Sequence, residues 1–154
     1  MRAINRLRRW QRHGIDLSGA LLLASGLLWL ALHYTVGAGA GELPHPLEPW
    51  LMRLHGAATM AALFMLGLLA AHHVPHGWRV THGQRARLQR RLGLALCLLA
   101  ALLVGSGYAL YYLVGEAARP ATGLLHNAAG VGMALLLVWH RRSRRPLHQS
   151  AVSA

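Results

Sequence analysis

The chain is short of charge of one sign and short of charge altogether. Only four residues are acidic, Asp16, Glu42, Glu48 and Glu116, and charged residues make up 13% of the 154. A soluble domain carries roughly 25%, so a disordered tail protein is excluded and the composition argues against a water-soluble globule. There is one cysteine, Cys97, which excludes an intramolecular disulfide and any CxxCH attachment of haem. Lysine is absent, so all 16 basic residues are arginine and the formal charge is +12.

What is abundant is apolar sequence and histidine. Hydrophobic residues reach 55%, and there are 11 histidines. The apolar residues fall into four runs, about 17–36, 50–74, 92–114 and 121–140. Each is long enough to cross a bilayer as a helix, and helices satisfy their own backbone in lipid. The expectation is an all-α integral membrane four-helix bundle, up-down-up-down, forming one transmembrane domain over residues 1–154.

The arginines lie between the runs. Fourteen of the 16 fall in the N-terminal tail, the second loop (Arg79, Arg85, Arg87, Arg90, Arg91) or the C-terminal tail (Arg141, Arg142, Arg144, Arg145); Arg53 and Arg119 fall on the other side. The positive-inside rule then puts both termini in the cytoplasm, as expected for a multi-pass protein of the bacterial inner membrane. Trp10, Trp50, Trp78 and Trp139 sit at run ends as interfacial anchors. The charge is thus a topology signal, and nucleic acid is not an expected partner because no base-reading module accompanies it. Ala38-Gly39-Ala40 resembles a signal-peptidase site, but the preceding apolar stretch exceeds a typical h-region, so a retained first helix is expected. No internal repeat is read from the sequence.

Ionisable residues inside spans are functional hypotheses by default. This topology makes the second and fourth helices parallel. His33, His55 and His126 then lie near the outer face, and His13, His72, His73 and His140 near the inner face. At 100° per residue, His55 and His73, 18 residues apart, share one face, and His126 and His140, 14 apart, lie within about 40° of one face. The levels are ~27 Å and ~21 Å apart along their helices. Two imidazoles facing each other can hold one haem iron axially, so two layers, His55 with His126 and His73 with His140, would hold two haem b groups without covalent attachment. Gly56, Gly130 and Gly132 would leave room for a porphyrin. Arg53 and Arg119 would meet outer propionates, and Arg79 or Arg141 inner ones. The blander reading is that membrane glycines are packing residues and membrane histidines interhelical hydrogen bonds.

Other features read as structure. His72, His73 and His76 form an HHxxH cluster with His82 nearby, and imidazole suits zinc, copper or nickel, but an interfacial helix end explains His72, His76 and His82 more simply. Met52, Met60, Met65 and Met133 are scattered, as core packing is. Cys97 reads as a small apolar residue, and His148 as tail. Tyr108, Tyr111 and Tyr112 read as an aromatic belt before a quinone pocket.

Four helices with such histidines, including the pair 14 residues apart in the last helix, resemble the bacterial cytochrome b561 family and related cytochrome b membrane subunits over roughly residues 10 to 142. That resemblance implies two b haems and electron transfer between quinol, or superoxide, and a partner. It implies ligands at His13, His55, His126 and His140. His13, however, precedes the apolar run. The segment His45-Pro46-Leu47-Glu48-Pro49-Trp50 followed by His55-Gly56-Ala57 is also similar to a less characterised group of four-helix bacterial membrane proteins, which aligns His73, five residues before Trp78, with a histidine of that group. His73 is therefore the expected partner of His140. The loops are too short for a flavin or nicotinamide domain, so electrons are expected from a lipid-soluble quinol or a partner protein. Two other classes remain open: a transporter or handling protein for metal or haem, using His33, His45, His55 and the HHxxH cluster, and a structural or assembly subunit of a membrane complex.

Overall fold

A computed structural model describes residues 8–80 and 84–143. Arg2, Arg6, His82, Arg144, Arg145 and His148 lie outside the described residues, as do the side chains of Trp78 and Arg85. Among the described residues there is no strand. Helix α1 spans Arg9–Val36, α2 Glu48–Leu68, α3 Val74–Val80, α4 Gln84–Tyr112 and α5 Arg119–Arg142. Four helical stretches, Arg9–Ala40, Glu48–His76, Arg87–Tyr112 and Arg119–Arg142, are each long and apolar enough to cross a membrane. The chain is thus an all-α multi-pass membrane protein by length and composition of its helices.

The helices outrun the apolar stretches at most ends because their polar flanks are helical too. At the start of α1 the Arg8 N–H donates to Gln11 Oε1 at 2.9 Å, which satisfies an end group that the helix cannot. Pro49 and Pro120 sit in the first turns of α2 and α5, where a missing N–H costs nothing.

Contacts cluster in two compact units, Met1–Arg79 and Val80–Ala154, within the span that reads as one domain in the sequence. Each is a helical hairpin: α1 packs on α2 in the first, α4 on α5 in the second. Burial is inverted relative to a soluble protein. Among the described residues the buried ones are small or polar, Ser18, Ser25, Gly37, Ala58, Ser106 and Ala129, with Glu48, His140 and a single large apolar residue, Leu92. Large apolar side chains point outward, among them Met60, Phe64, Leu98, Leu124 and Leu135, all more than 60% exposed. In lipid, exposing leucine costs nothing, and small residues let helices approach closely.

Helix α2 does not run straight into α3. Residues Leu69–His73 form a π turn between them. Pro75 supplies the cause. It has no N–H for the Ala71 carbonyl, and its ring crowds that oxygen; the wider turn relieves both. A π turn takes in about one extra residue, which rotates everything after it by about 100°. The face that a straight helix gives to His73 therefore passes to Val74.

The first hairpin turns through a short 3₁₀ segment, Ala38–Ala40, closed by Gly41 at φ 86°, a left-handed conformation natural to glycine. Beyond it, Glu48 is buried and doubly held. Its Oε2 accepts from His33 Nδ1 at 3.2 Å, and its Oε1 accepts from the His45 backbone N–H at 3.0 Å. The His33 ring stacks on Trp29, with centroids 4.5 Å apart. A Cβ at Gly37 would run into Glu48 Oε1, so this glycine is what lets the carboxylate approach. Removing one partner of a buried hydrogen-bonded charge costs about 1–3 kcal/mol. Glu48→Ala is expected to destabilise the chain by that amount in reversible unfolding in detergent; an unchanged unfolding midpoint contradicts the clamp.

Candidate functional site: two serine-held histidines

In the first hairpin, Ser25 on α1 is 2% exposed. Its Oγ lies 2.6 Å from the Leu21 carbonyl oxygen and 2.9 Å from Nδ1 of His55 on α2. In the second hairpin, Ser106 on α4 is buried. Its Oγ lies 2.6 Å from the Leu102 carbonyl oxygen and 2.8 Å from Nδ1 of His126 on α5. The two hairpins thus build one arrangement twice. The helix entering the turn carries the serine, the helix leaving it carries the histidine, and the same ring nitrogen is held.

The sequence around the two sites matches as well. Pro49 to Ala58 and Pro120 to Ala129 both read Pro-x4-Leu-His-x-Ala-Ala, and both serines are followed by glycine. Ala58 and Ala129, three residues after each histidine, are the most buried alanines of their hairpins. This internal repeat corrects the reading that the chain has none. It is hard to see because 24 residues separate Ser25 from Pro49 and only 14 separate Ser106 from Pro120. The outer loop of the first hairpin is longer, and a fixed-period comparison loses the register.

The half-buried rings have space prepared for them. A Cβ at Gly107, next to Ser106, would stand 3.4 Å from His126 Cε1. A Cβ at Gly56 or Gly132 would meet no atom within 4 Å, and one at Gly130 only Leu103 Cδ2 at 3.9 Å. Thr59 Oγ1 donates to the His55 carbonyl at 2.8 Å, and Asn127 Nδ2 to the Gly123 carbonyl at 2.9 Å. These polar groups are consumed within their own helices.

The other expected residues fall as follows. His140 is buried near the C-terminal end of α5, where Gln89 Nε2 of α4 donates to Ser143 Oγ at 2.6 Å. His73, at the end of the π turn, is half-buried, and His13 is exposed. The repeat does not extend to the level of His140, since the position in the first hairpin that matches His140 is Leu69. His72 is exposed and His76 half-buried. Among the described residues, no group of three or more His, Cys, Asp or Glu side chains comes together to hold a metal ion. His33 and His45 serve Glu48, and His45 Nδ1 also accepts the Leu47 N–H at 3.2 Å.

Arg53 and Arg119, expected at propionates, have contacts of their own. The Arg53 guanidinium lies 4.7 Å over the Trp50 ring. Arg119 Nη2 donates to the Val114 carbonyl, at the end of α4, at 3.3 Å. Tyr108, Tyr111 and Tyr112 are exposed and touch one another, with centroids 4.9 and 5.6 Å apart, which suits an aromatic belt.

No protein-family model, curated protein or solved structure matches this chain.

Gly107 gives a direct test of the geometry. Gly107→Ala is expected to be tolerated, because its added methyl only reaches contact distance. Gly107→Leu should overpack the ring and cost about 1–3 kcal/mol, measured by unfolding in detergent. Equal stability of the two variants contradicts the packing of His126 against α4.

Proposed function

We propose that the chain is a b-type haem cytochrome of the bacterial inner membrane, with both termini cytoplasmic, that carries electrons across or within the membrane between a quinol or partner redox protein and an acceptor. The observation that supports it best is the duplicated site: two histidines at one position of two matching hairpins, each ring held at Nδ1 by a buried serine. Ligating histidines are held in this manner, through the ring nitrogen that does not bind the metal. Gly56 and Gly132, where a Cβ would meet no atom within 4 Å, and Gly130, where it would meet only Leu103 Cδ2, are compatible with the approach of a flat macrocycle.

In this reading His55 and His126 would hold the outer haem iron, and His140 with His73 the inner one. A haem held by imidazoles alone would supply one-electron transfer. The chain's own residues do the rest. Ser25 and Ser106 orient the outer rings, the small residues around them admit the ring system, and the outward leucines seal the site from water. The buried environment and the hydrogen bonds to the ligands tune the potential. The inner level rests on less, because the π turn rotates His73 away from the face that a straight helix gives it, and His13 remains its competitor.

Single substitutions separate these assignments. His55→Ala and His126→Ala are each expected to lose one haem per chain and keep the other. His140→Ala should lose the complementary haem. His73→Ala should share the His140→Ala spectrum, while His13→Ala should leave both haems in place. Absorbance of the purified variants, with haem quantified per chain, reads all five. Retention of both haems in His126→Ala sinks the outer pairing, and loss of the inner haem in His13→Ala transfers that ligand from His73.

A further inference from the structure

The two serines have only one proton each to give, and the distances say where it goes. Ser25 Oγ stands 2.6 Å from the Leu21 carbonyl oxygen and Ser106 Oγ 2.6 Å from the Leu102 carbonyl oxygen. Two oxygens that close repel unless a hydrogen lies between them, and a carbonyl has none to offer. Each hydroxyl therefore donates backward to the carbonyl four residues earlier, a habit of serine within helices. Its oxygen is then an acceptor toward the imidazole. The contacts at 2.9 Å to His55 Nδ1 and 2.8 Å to His126 Nδ1 become hydrogen bonds only if Nδ1 carries the ring proton. A neutral imidazole has one N–H and one lone pair, so the lone pair of both rings sits on Nε2.

We propose that Ser25 and Ser106 are positioning residues that hold His55 and His126 in the Nδ1–H tautomer and thereby make Nε2 the metal-binding atom of each. The relay runs carbonyl, hydroxyl, imidazole, and is built from the helix backbone itself. It does two things. It selects the tautomer, and it fixes the ring about χ1 and χ2. In a span with no water to substitute, a histidine without this acceptor would be free to carry its proton on the wrong nitrogen. The repeat supports the assignment, because the serine recurs although the loops between serine and histidine differ in length. The part that concerns haem rests on the cytochrome reading, while the tautomer assignment does not.

The test is a long-range proton–nitrogen correlation spectrum of the ¹⁵N-labelled full chain in detergent micelles at alkaline pH, before haem is added, followed by haem titration. The expected result is the Nδ1–H pattern for His55 and His126. Ser25→Ala should shift His55 alone toward the Nε2–H pattern that free histidine favours in water, and Ser106→Ala should shift His126 alone. Ser→Thr at either position, which keeps the hydroxyl, should restore the wild-type pattern. Loss of such an outer hydrogen bond typically weakens metal binding about 10–100-fold, and each Ala variant should weaken haem binding by that factor. The Nε2–H pattern in the wild-type chain, or unchanged tautomers in both Ala variants, overturns the assignment. The wild-type spectrum decides the tautomer even if an Ala variant fails to fold. Wild-type rings in the Nδ1–H form with no haem uptake support the serine assignment and overturn the cytochrome reading instead.

Discussion

Lipid offers no hydrogen bonds, and every polar group in these helices is placed under that constraint. It explains why the buried set is serine, glutamate and histidine with two alanines, a glycine and a leucine, while bulky apolar residues face outward. In water this pattern would be unstable. In a bilayer the leucines are at home, and the interior of each hairpin is where a hydroxyl, a carboxylate or an imidazole can find a partner. Ser25, Ser106 and Glu48 each find theirs across the hairpin: an imidazole on the other helix in every case.

The same constraint divides the histidines by role. His33 is tied to a buried carboxylate through Nδ1 and stacked on Trp29, so its chemistry is occupied in closing the turn. His55 and His126 are tied to neutral hydroxyls that are themselves anchored to backbone carbonyls. A neutral acceptor adds no charge beside either ring and takes up only Nδ1. The serine–histidine contact is thus built twice in one form. The level of His140 is not. His140 has no counterpart in the first hairpin, and His73 reaches its position through a π turn instead of a regular helix.

Much of the fold was legible in the sequence because membrane spans are written in composition. Run length gave four helices, and arginine blocks gave their separation. The flanks were underestimated, since an arginine-rich segment such as 9–16 reads as tail but continues the helix. The π turn was missed although its signal was present: Pro75 inside an apolar helix must disturb the turn before it, and a uniform 100° per residue does not hold across that turn. His55 and His126 were legible as site residues from depth and phase. Ser25 and Ser106 were not, because a serine followed by glycine reads as ordinary packing until the opposing helix is in place. The repeat was hidden by the unequal outer loops. Glu48 and His33 were each noted at the outer end, but 15 residues and a turn separate them, and only the hairpin shows that they pair.

The central claim is that this serine-supported pair belongs to a haem protein. The measurement that bears on it most directly is the dithionite-reduced minus oxidised absorption spectrum of the wild-type chain, purified in detergent from cells supplied with a haem precursor, with haem quantified per chain. The account predicts a low-spin b-type spectrum and two non-covalent haems per chain. A chain that folds, keeps its serine-to-histidine contacts and carries no haem would contradict it.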